Sequence, residues 1–311
     1  MRDLSNFRLQ EWMQLIPVRD AWKQGRNDLW QAAYDLRRAE AQHRFLAEAA
    51  TYAGKDIGLV IAFEQPWALA WQLRMAQRHL PDVQMMVFDN SIRDALREQI
   101  AEVCRQNDVP YLALPKNGTR HVNRSHGMAM NWVFHNVVRL IKPRRFAFID
   151  HDMIPVRPSH LLNQLDDQPL YGLPTHSPWS WQLWAGYCAF DYAYLADKPV
   201  NFLYDFSNGL DTGGRNWHGV YREFDPAKLR LAADAYVDTQ DPETSCPVTL
   251  QIVDGSWFHI GGISYNNIGA RKSGLCERLA RAMEQGASWC ELCPDAITAA
   301  ARNADWVPMQ A

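Results

Sequence analysis

Asp150 and Asp152 stand one residue apart at the end of an apolar run, Arg145-Phe146-Ala147-Phe148-Ile149-Asp150-His151-Asp152. Alternate residues of a strand project from one face. The two carboxylates are therefore expected to converge where a buried strand leaves the core, with His151 pointing the other way. Converging carboxylates repel unless something positive lies between them. A hard divalent cation, Mg²⁺ or Mn²⁺, fills that role, and such ions commonly hold phosphate oxygens as well. The pattern points to a metal–diphosphate site at the carboxyl end of a strand. The plainer alternative is a strand and a turn in which aspartates cap loop amides.

Other residue types add to this chemistry. His259 ends an apolar stretch and is followed by Gly261-Gly262, glycines that permit close backbone approach; the alternative is a hydrogen-bonded structural histidine. His126 lies near an expected helix start, where it can face phosphate at the positive end of the helix or serve beside the cap. Arg120, Arg124 and Arg215 can neutralise a diphosphate, although solvation is the common fate of a single arginine. Thirteen tryptophans are many, and Trp179, Trp181 and Trp184 lie close together. Such rings either pack a core or stack on apolar ligand faces, sugars included.

The elements that must position these groups follow from periodicity. Residues 5 to 50 carry apolar residues at three- and four-residue spacing and read as helical, with Gly54 as a stop. Strands and helices then alternate: Ile57–Phe63, helix Trp67–His79, Val83–Phe88, helix Ile92–Gln106, Tyr111–Leu114, helix Ser125–Ile141 and Phe146–Ile149. Such alternation predicts a parallel sheet covered by helices, with ligands beyond the carboxyl ends of its strands. Four polar segments fall at those ends: Phe63-Glu64-Gln65-Pro66, Asp89-Asn90-Ser91, Lys116-Asn117-Gly118 and Asp150-His151-Asp152. Phe63, Glu64, Asn90 and Asn117 are the expected ligand contacts from the first three. Later strands are expected at Leu170–Leu173, at Trp184–Phe190, where Gly186 marks a close approach, and at Ser256–Ile260; residues 201–220 are loop-rich, and the chain reads as helical from Lys272 to near its end. The organisation expected is a helical extension (1–54), an α/β domain (55–270) and a C-terminal helical segment (271–311).

The 311 residues suffice for a full core, and a net charge of −3 argues against a nucleic-acid partner. Met1–Gln24 lacks a signal pattern, and no stretch approaches the ~20 apolar residues of a transmembrane span. A soluble, cytoplasmic protein is expected. Six cysteines include one C-x-x-C, Cys290 and Cys293; one such pair is short of the four ligands zinc prefers, so reduced thiols are expected. Nothing in the chain indicates an oligomeric state.

Taken in order, these pieces resemble the GT-A fold of nucleotide-sugar-dependent glycosyltransferases, nearest the family 2-like members. The resemblance runs over roughly residues 56 to 265 and rests on Ile61-Ala62-Phe63, Val87-Phe88-Asp89-Asn90-Ser91, Ser125-His126-Gly127 through Asn131, Asp150-His151-Asp152, Trp184-Ala185-Gly186-Tyr187, Asp211-Thr212-Gly213 and Phe258-His259-Ile260-Gly261-Gly262. It implies an α/β, Rossmann-like, mostly parallel central sheet flanked by helices. It also implies a hexosyltransferase-type activity, metal-dependent through Mn²⁺ or Mg²⁺, moving a sugar from a nucleoside diphosphate sugar to a saccharide or lipid-linked acceptor. On that likeness Asp89 contacts the base or ribose, Asp150 ribose and metal, Asp152 the metal directly, and His259 metal or phosphate. The Glu-Asp pair that often supplies the base in family 2 enzymes is not evident. Asp211 is the candidate base, against an Asx-type turn, with Asp205 in reserve. A non-catalytic nucleotide-sugar-binding protein on the same scaffold and a metal-dependent nucleotidyltransferase are the alternatives.

Overall fold

A computed structural model describes residues 8–240, 245, 247–263 and 269–293. The helical segments expected at the two ends therefore extend, at 1–7 and 294–311, outside the described residues. The N-terminal stretch, expected to be helical over 5–50, holds α1 (Leu9–Gln14), α2 (Ile16–Asp35) and α3 (Gln42–Ala49). Leu15 is extended, and Pro17 falls in the first turn of α2, where its missing N–H costs no helical bond. α2 buries polar residues, Asn27 and Gln31, along with Tyr34. It docks by hydrogen bonds: Asn27 Nδ2 donates to Tyr204 Oη (2.9 Å), and Gln24 Nε2 donates to Asp205 Oδ1 (2.8 Å).

The alternating region follows as β1 (Asp56–Ala62), α4 (Pro66–His79), β2 (Gln84–Asp89), α5 (Asp94–Gln106), β3 (Tyr111–Ala113) and α6 (Val122–Val133). α6 runs through a wide π turn (Phe134–Val138) into a final turn, α7 (Arg139–Ile141), before β4 (Arg145–Asp150) and β5 (Met153–Pro155). A hairpin of β6 (Leu170–Ser177) and β7 (Ser180–Asp191) leads to α8 (Tyr192–Leu195), a loop-rich stretch, β8 (Asp234–Gln240), β9 (Pro247–Val253), β10 (Trp257–His259), α9 (Gly269–Glu284) and α10 (Trp289–Leu292). The first sheet has the order β3-β2-β1-β4-β7-β6. β3, β2, β1 and β4 are mutually parallel, and β7 runs antiparallel between β4 and β6. This is the expected fold class, α/β with a mostly parallel central sheet between helices.

Central position explains the composition of the strands. β1 hydrogen-bonds to β2 and β4, and all but its first residue are buried, so Ile-Gly-Leu-Val-Ile-Ala has no solvated face. The registers Ala62↔Asp89 and Ile61↔Asp150 bring the carboxyl ends of β1, β2 and β4 to one edge.

The second sheet, β5-β10-β9-β8, is antiparallel, and its β8–β9 hairpin is absent from the sequence reading. The signal was there: Val248, Leu250 and Ile252 are buried at period two. α4 lies between the two sheets. Leu69, Leu73 and Ala76 pack with the core of the first, while Ala68, Trp71 and Met75 pack with the second. One polar side chain, Gln72, is buried within this apolar helix; its Nε2 donates to the backbone oxygens of Asp150 (2.7 Å) and Met153 (2.8 Å). It ties off the turn between β4 and β5.

Gln72→Leu keeps the bulk of the side chain and removes both bonds. Denaturant unfolding is expected to register a loss of roughly 1–3 kcal/mol, the range for a buried acceptor left unpaired.

Candidate active site at the carboxyl edge of the parallel strands

A pocket of about 510 Å³ opens at that edge. Phe63 follows β1, Asn90 follows β2, Thr119 and Arg120 belong to the segment after β3, and Asp150-His151-Asp152 lies at the end of β4; all seven line it. Asn123, Ser125 and His126 enter from the first turns of α6, which begins three residues earlier than expected because His121 caps it, its Nδ1 accepting from Arg124 N–H (3.4 Å). Trp184, Asp211, Thr212, His259 and Gly262 close the remaining sides.

Asp150 and Asp152 do meet at the pocket, but not by strand alternation. β4 ends at Asp150, and His151 and Asp152 form a turn into β5. His151, expected on the opposite side, consequently lines the pocket too, and its buried Nε2 has no hydrogen-bond partner. Each carboxylate faces a different imidazole. His126 Nε2 lies 3.4 Å from Asp150 Oδ1, and His259 Nε2 lies 3.6 Å from Asp152 Oδ2. The second pairing is a product of sheet register: His259 stands opposite Met153 in the β10–β5 ladder, and Ile260 N–H donates to the Asp152 backbone oxygen (3.1 Å). Gly261 N–H also donates to Asp152 Oδ2 (3.2 Å), from a left-handed backbone (φ +72°).

Gly186 on β7 carries a definite requirement. A Cβ there would fall on the Trp184 ring and on the Asp150 carboxylate. The close approach expected at this glycine is thus made by two side chains. The Trp184 ring also packs on His259, with ring centroids 4.8 Å apart.

Several expected contacts are corrected. Asp89 is fully buried with both oxygens engaged, accepting from Ser91 N–H (2.8 Å) and Tyr111 Oη (2.9 Å). It braces the strand end and does not line the pocket. Glu64 (φ +53°) lies outside the pocket lining; it accepts from Ile92 and Arg93 N–H and pairs with the Arg93 guanidinium. Asn117 is buried behind the wall, donating to Asn90 Oδ1 (3.2 Å) and Ser125 Oγ (3.0 Å), so it supports Asn90 and does not line the pocket. Asp205 is fully buried; Gln24, Ser207, Asn208 and His218 all hydrogen-bond to its carboxylate. Burial alone would raise its pKa, but the bonds from Asn208 and His218 outweigh it and hold the carboxyl below the ordinary range. A carboxylate so fully engaged is unsuited to take a proton from a substrate, and Asp205 is withdrawn as reserve base.

Asp211 does line the pocket, where Asn123 Nδ2 and Thr212 N–H donate to its Oδ1. Of the three arginines, Arg124 is engaged with Thr119 (2.6 Å) and stacks over Trp30, and Arg215 is paired with Asp28. Arg120 is the only Lys or Arg among the described lining residues. It continues the strand-end segment Lys116-Asn117-Gly118, which was the available signal for it.

Burial pushes the Asp150 carboxyl up to about 6, with the charge of Asp152 adding to the effect. Burial also pushes the His126 imidazole down to about 4, against the opposing pull of Asp211 and Asp152. Near neutral pH, Asp150 is thus ionised at some cost beside an uncharged ring, and the recess favours positive charge. Among the described residues, however, no group of three or more His, Cys, Asp or Glu side chains forms a ready cage for an ion. The three-ligand set of Asp150, Asp152 and His259 is not assembled, since Asp150 turns to His126. Asp152 and His259 fit a hard cation as a partial shell, of the kind Mg²⁺ completes with water and phosphate oxygens.

No protein-family model and no curated protein matches the sequence. Solved structures do overlap with it. A mannosyltransferase from Pyrobaculum calidifontis in complex with GDP-Man and Mn²⁺ is 13% identical, with 58% of this chain and 57% of that one covered and a TM-score of 0.35. The galactosyltransferase LgtC in complex with donor and acceptor sugar analogues is 15% identical, over 45% of this chain and 59% of that one, with a TM-score of 0.34. Glucosyl-3-phosphoglycerate synthase from Mycobacterium tuberculosis in complex with Mn²⁺ and UDP-glucose is 13% identical, over 51% and 63%, with a TM-score of 0.30. All three are GT-A glycosyltransferases, and the chain spans between 57% and 63% of their lengths. Likeness of this extent reaches only part of each fold, so what the chain does has to be argued from its own pocket.

The electrostatics of that pocket are measurable as stability. A carboxyl held above its ordinary value keeps its proton more readily in the folded chain. Its ionisation therefore erodes stability as pH rises from about 4 through about 6. Asp150→Asn removes that term. The variant is expected to unfold at a higher temperature than wild type at pH 7, by the equivalent of roughly 1–3 kcal/mol, and the difference is expected to close below pH ~4.

Proposed function

We propose that this chain is a metal-dependent glycosyltransferase that takes a sugar from a nucleoside diphosphate sugar and delivers it to an acceptor hydroxyl. The observation that carries the reading is the Asp152–His259 pair, 3.6 Å apart in a pocket of about 510 Å³ at the carboxyl edge of parallel strands. That volume suits a nucleotide-sized ligand. An oxygen and a nitrogen donor beside Arg120 make a partial shell for a cation with a positive side chain available for phosphate. Asn90, braced by Asn117 and Ser125, offers polar recognition for the nucleoside, and the Trp184 ring offers an apolar face for a sugar.

The difficult step is loss of the nucleoside diphosphate from the anomeric carbon. A divalent ion, when bound, supplies the countercharge to the negative charge that grows on the departing phosphate. Arg120 adds a second countercharge from the segment after β3. Asp150 is held in its recess by Gln72 beneath its backbone and by the vacant Cβ position of Gly186. Asp211, exposed at the pocket, is the group best situated to accept the acceptor's proton, with Asn123 and Thr212 fixing its orientation. The acceptor, a saccharide or a lipid-linked one, would approach over Asp211.

A binding protein without turnover is the second reading, and one observation favours it. Of the two hydrogen bonds to Asp211 Oδ1, the one from Thr212 N–H is a local backbone bond that a loop aspartate makes without any part in catalysis. A nucleotidyltransferase would differ in product, releasing pyrophosphate or nucleoside monophosphate in place of nucleoside diphosphate.

A thermal-shift screen of UDP and GDP with and without Mn²⁺ tests the donor site, because a ligand that binds only the folded chain raises its melting temperature. One nucleotide is expected to stabilise the wild-type chain only when Mn²⁺ is present, and Asp152→Ala is expected to abolish that dependence; a Mn²⁺-dependent shift that survives the substitution rejects the role of Asp152. Asp211→Asn is expected to lower transfer, followed as nucleoside diphosphate release with acceptor, by about 10²–10⁴-fold, the usual contribution of a general base, with donor affinity unchanged. Equal loss of both would return Asp211 to a turn role.

A further inference from the structure

The second sheet carries a chain of side-chain hydrogen bonds that runs into the pocket. Gln251 on β9 stands directly opposite His259 on β10 and Tyr236 on β8, and Asp234 lies diagonally across from it, two residues along β8. Gln251 Nε2 donates to Asp234 Oδ2 (2.7 Å), and Gln251 Oε1 lies 2.5 Å from His259 Nδ1. His259 Nε2 then faces Asp152 Oδ2 at 3.6 Å.

The chemistry of the amide decides where the protons are. An ionised carboxylate only accepts, so the group that Gln251 turns to Asp234 must be its NH₂. The other end of the amide, facing His259, is then the carbonyl oxygen, which also only accepts. His259 Nδ1 must therefore carry a hydrogen. In the neutral ring this leaves Nε2 bare, with its lone pair directed at a carboxylate oxygen. Two electron-rich atoms held face to face are repulsive as they stand and become favourable when a cation joins them. The orienting of a ligand histidine through its other ring nitrogen is a general feature of metal sites.

We propose that Asp234 and Gln251 are positioning residues: acting through His259, they hold its ring in the Nδ1–H tautomer and aim a bare Nε2 at Asp152, creating the nitrogen half of the cation site. The inference rests on the glycosyltransferase reading for the use of the cation, but its core, the tautomer and what sets it, belongs to the chain alone. It also gives the β8–β9 hairpin a task beyond covering α4. β8 contributes Asp234, β9 contributes Gln251 and β10 contributes His259, so the three strands build the site from their shared face.

Two measurements test it on the full chain. The first is a two-bond ¹⁵N–¹H correlation spectrum of metal-free, histidine-labelled protein, with the His259 signals identified by their loss in His259→Gln. A protonated Nδ1 and a bare Nε2 are expected; a proton resident on Nε2 alone overturns the proposal. The second is Mn²⁺ binding, read from the free-ion electron paramagnetic resonance signal, with Mn²⁺ alone and with UDP or GDP. Gln251→Leu is expected to release the tautomer and weaken Mn²⁺ by about 10–100-fold, the range seen when an outer partner of a metal-binding histidine is removed. The exchanged pair Gln251→Glu with Asp234→Asn keeps a donor facing an acceptor at each link, and should retain both the tautomer and affinity near that of wild type. If Gln251→Leu fails to fold, the exchanged pair decides: loss of the tautomer in it overturns the proposal. Wild-type affinity and tautomer in Gln251→Leu overturn the role of Gln251 while leaving the metal reading intact. Failure of the wild-type chain to bind Mn²⁺ under any of these conditions, with the Nδ1–H tautomer present, instead removes the metal reading and the purpose proposed for the relay.

Discussion

Two carboxylates carried into a recess at the edge of a sheet repel each other and lose hydration together. At Asp150 the loss of hydration is the larger effect and the charge of Asp152 adds to it. The surroundings of Asp150 and Asp152 answer this constraint at several points. His126 of α6 stands against Asp150, and Gly261 N–H donates to Asp152 Oδ2. The turn that separates them is tied from below by Gln72, a lone buried amide in an otherwise apolar helix face. The strand beside them omits a side chain at Gly186. The raised pKa of Asp150 records what remains uncompensated, and it is this remainder that makes the pocket receptive to a cation.

The arrangement requires two sheets. The parallel sheet delivers strand ends to one edge, as open α/β sheets do, and by itself would supply Phe63, Asn90, Arg120 and the two aspartates. The antiparallel sheet supplies the nitrogen. β5 is a continuation of the turn after β4, so pairing it with β10 sets His259 opposite Met153 and hence beside Asp152. α4 holds the two sheets at their spacing because it is apolar on both sides, packing Leu69 and Leu73 one way and Trp71 and Met75 the other. Displacing this helix would separate the donors as well as the cores.

The N-terminal helices bear on the same edge from a distance. α2 contacts the loop that carries Asp205 and Tyr204, and Trp30 lies under the Arg124 guanidinium at 4.4 Å, close to Thr119 and Arg120 in the pocket wall. Asp205, with its four hydrogen-bonding neighbours, organises the turn before Asp211. A carboxylate that cannot reach a substrate thus shapes the loop bearing one that can.

The amino-acid sequence by itself determined the elements of the α/β region, because period-two and period-3.6 patterns of apolar residues are local properties that survive without any knowledge of partners. It also determined that strand ends would gather polar residues, and which aspartates and histidines were candidates. What it could not determine was direction. Asp89 and Asn90 are neighbours in the chain, yet one turns inward to Ser91 and Tyr111 and the other lines the pocket. His151 reaches the pocket because β4 ends at Asp150, two residues short of where alternation through Asp152 would need it to end. The meeting of Asp152 with His259, and of His259 with Gln251 and Asp234, was decided by the register of a sheet whose strands are separated by up to about a hundred residues. Side-chain orientation at a strand end and pairing across such distances depend on the whole packed chain, and no short stretch of sequence contains them.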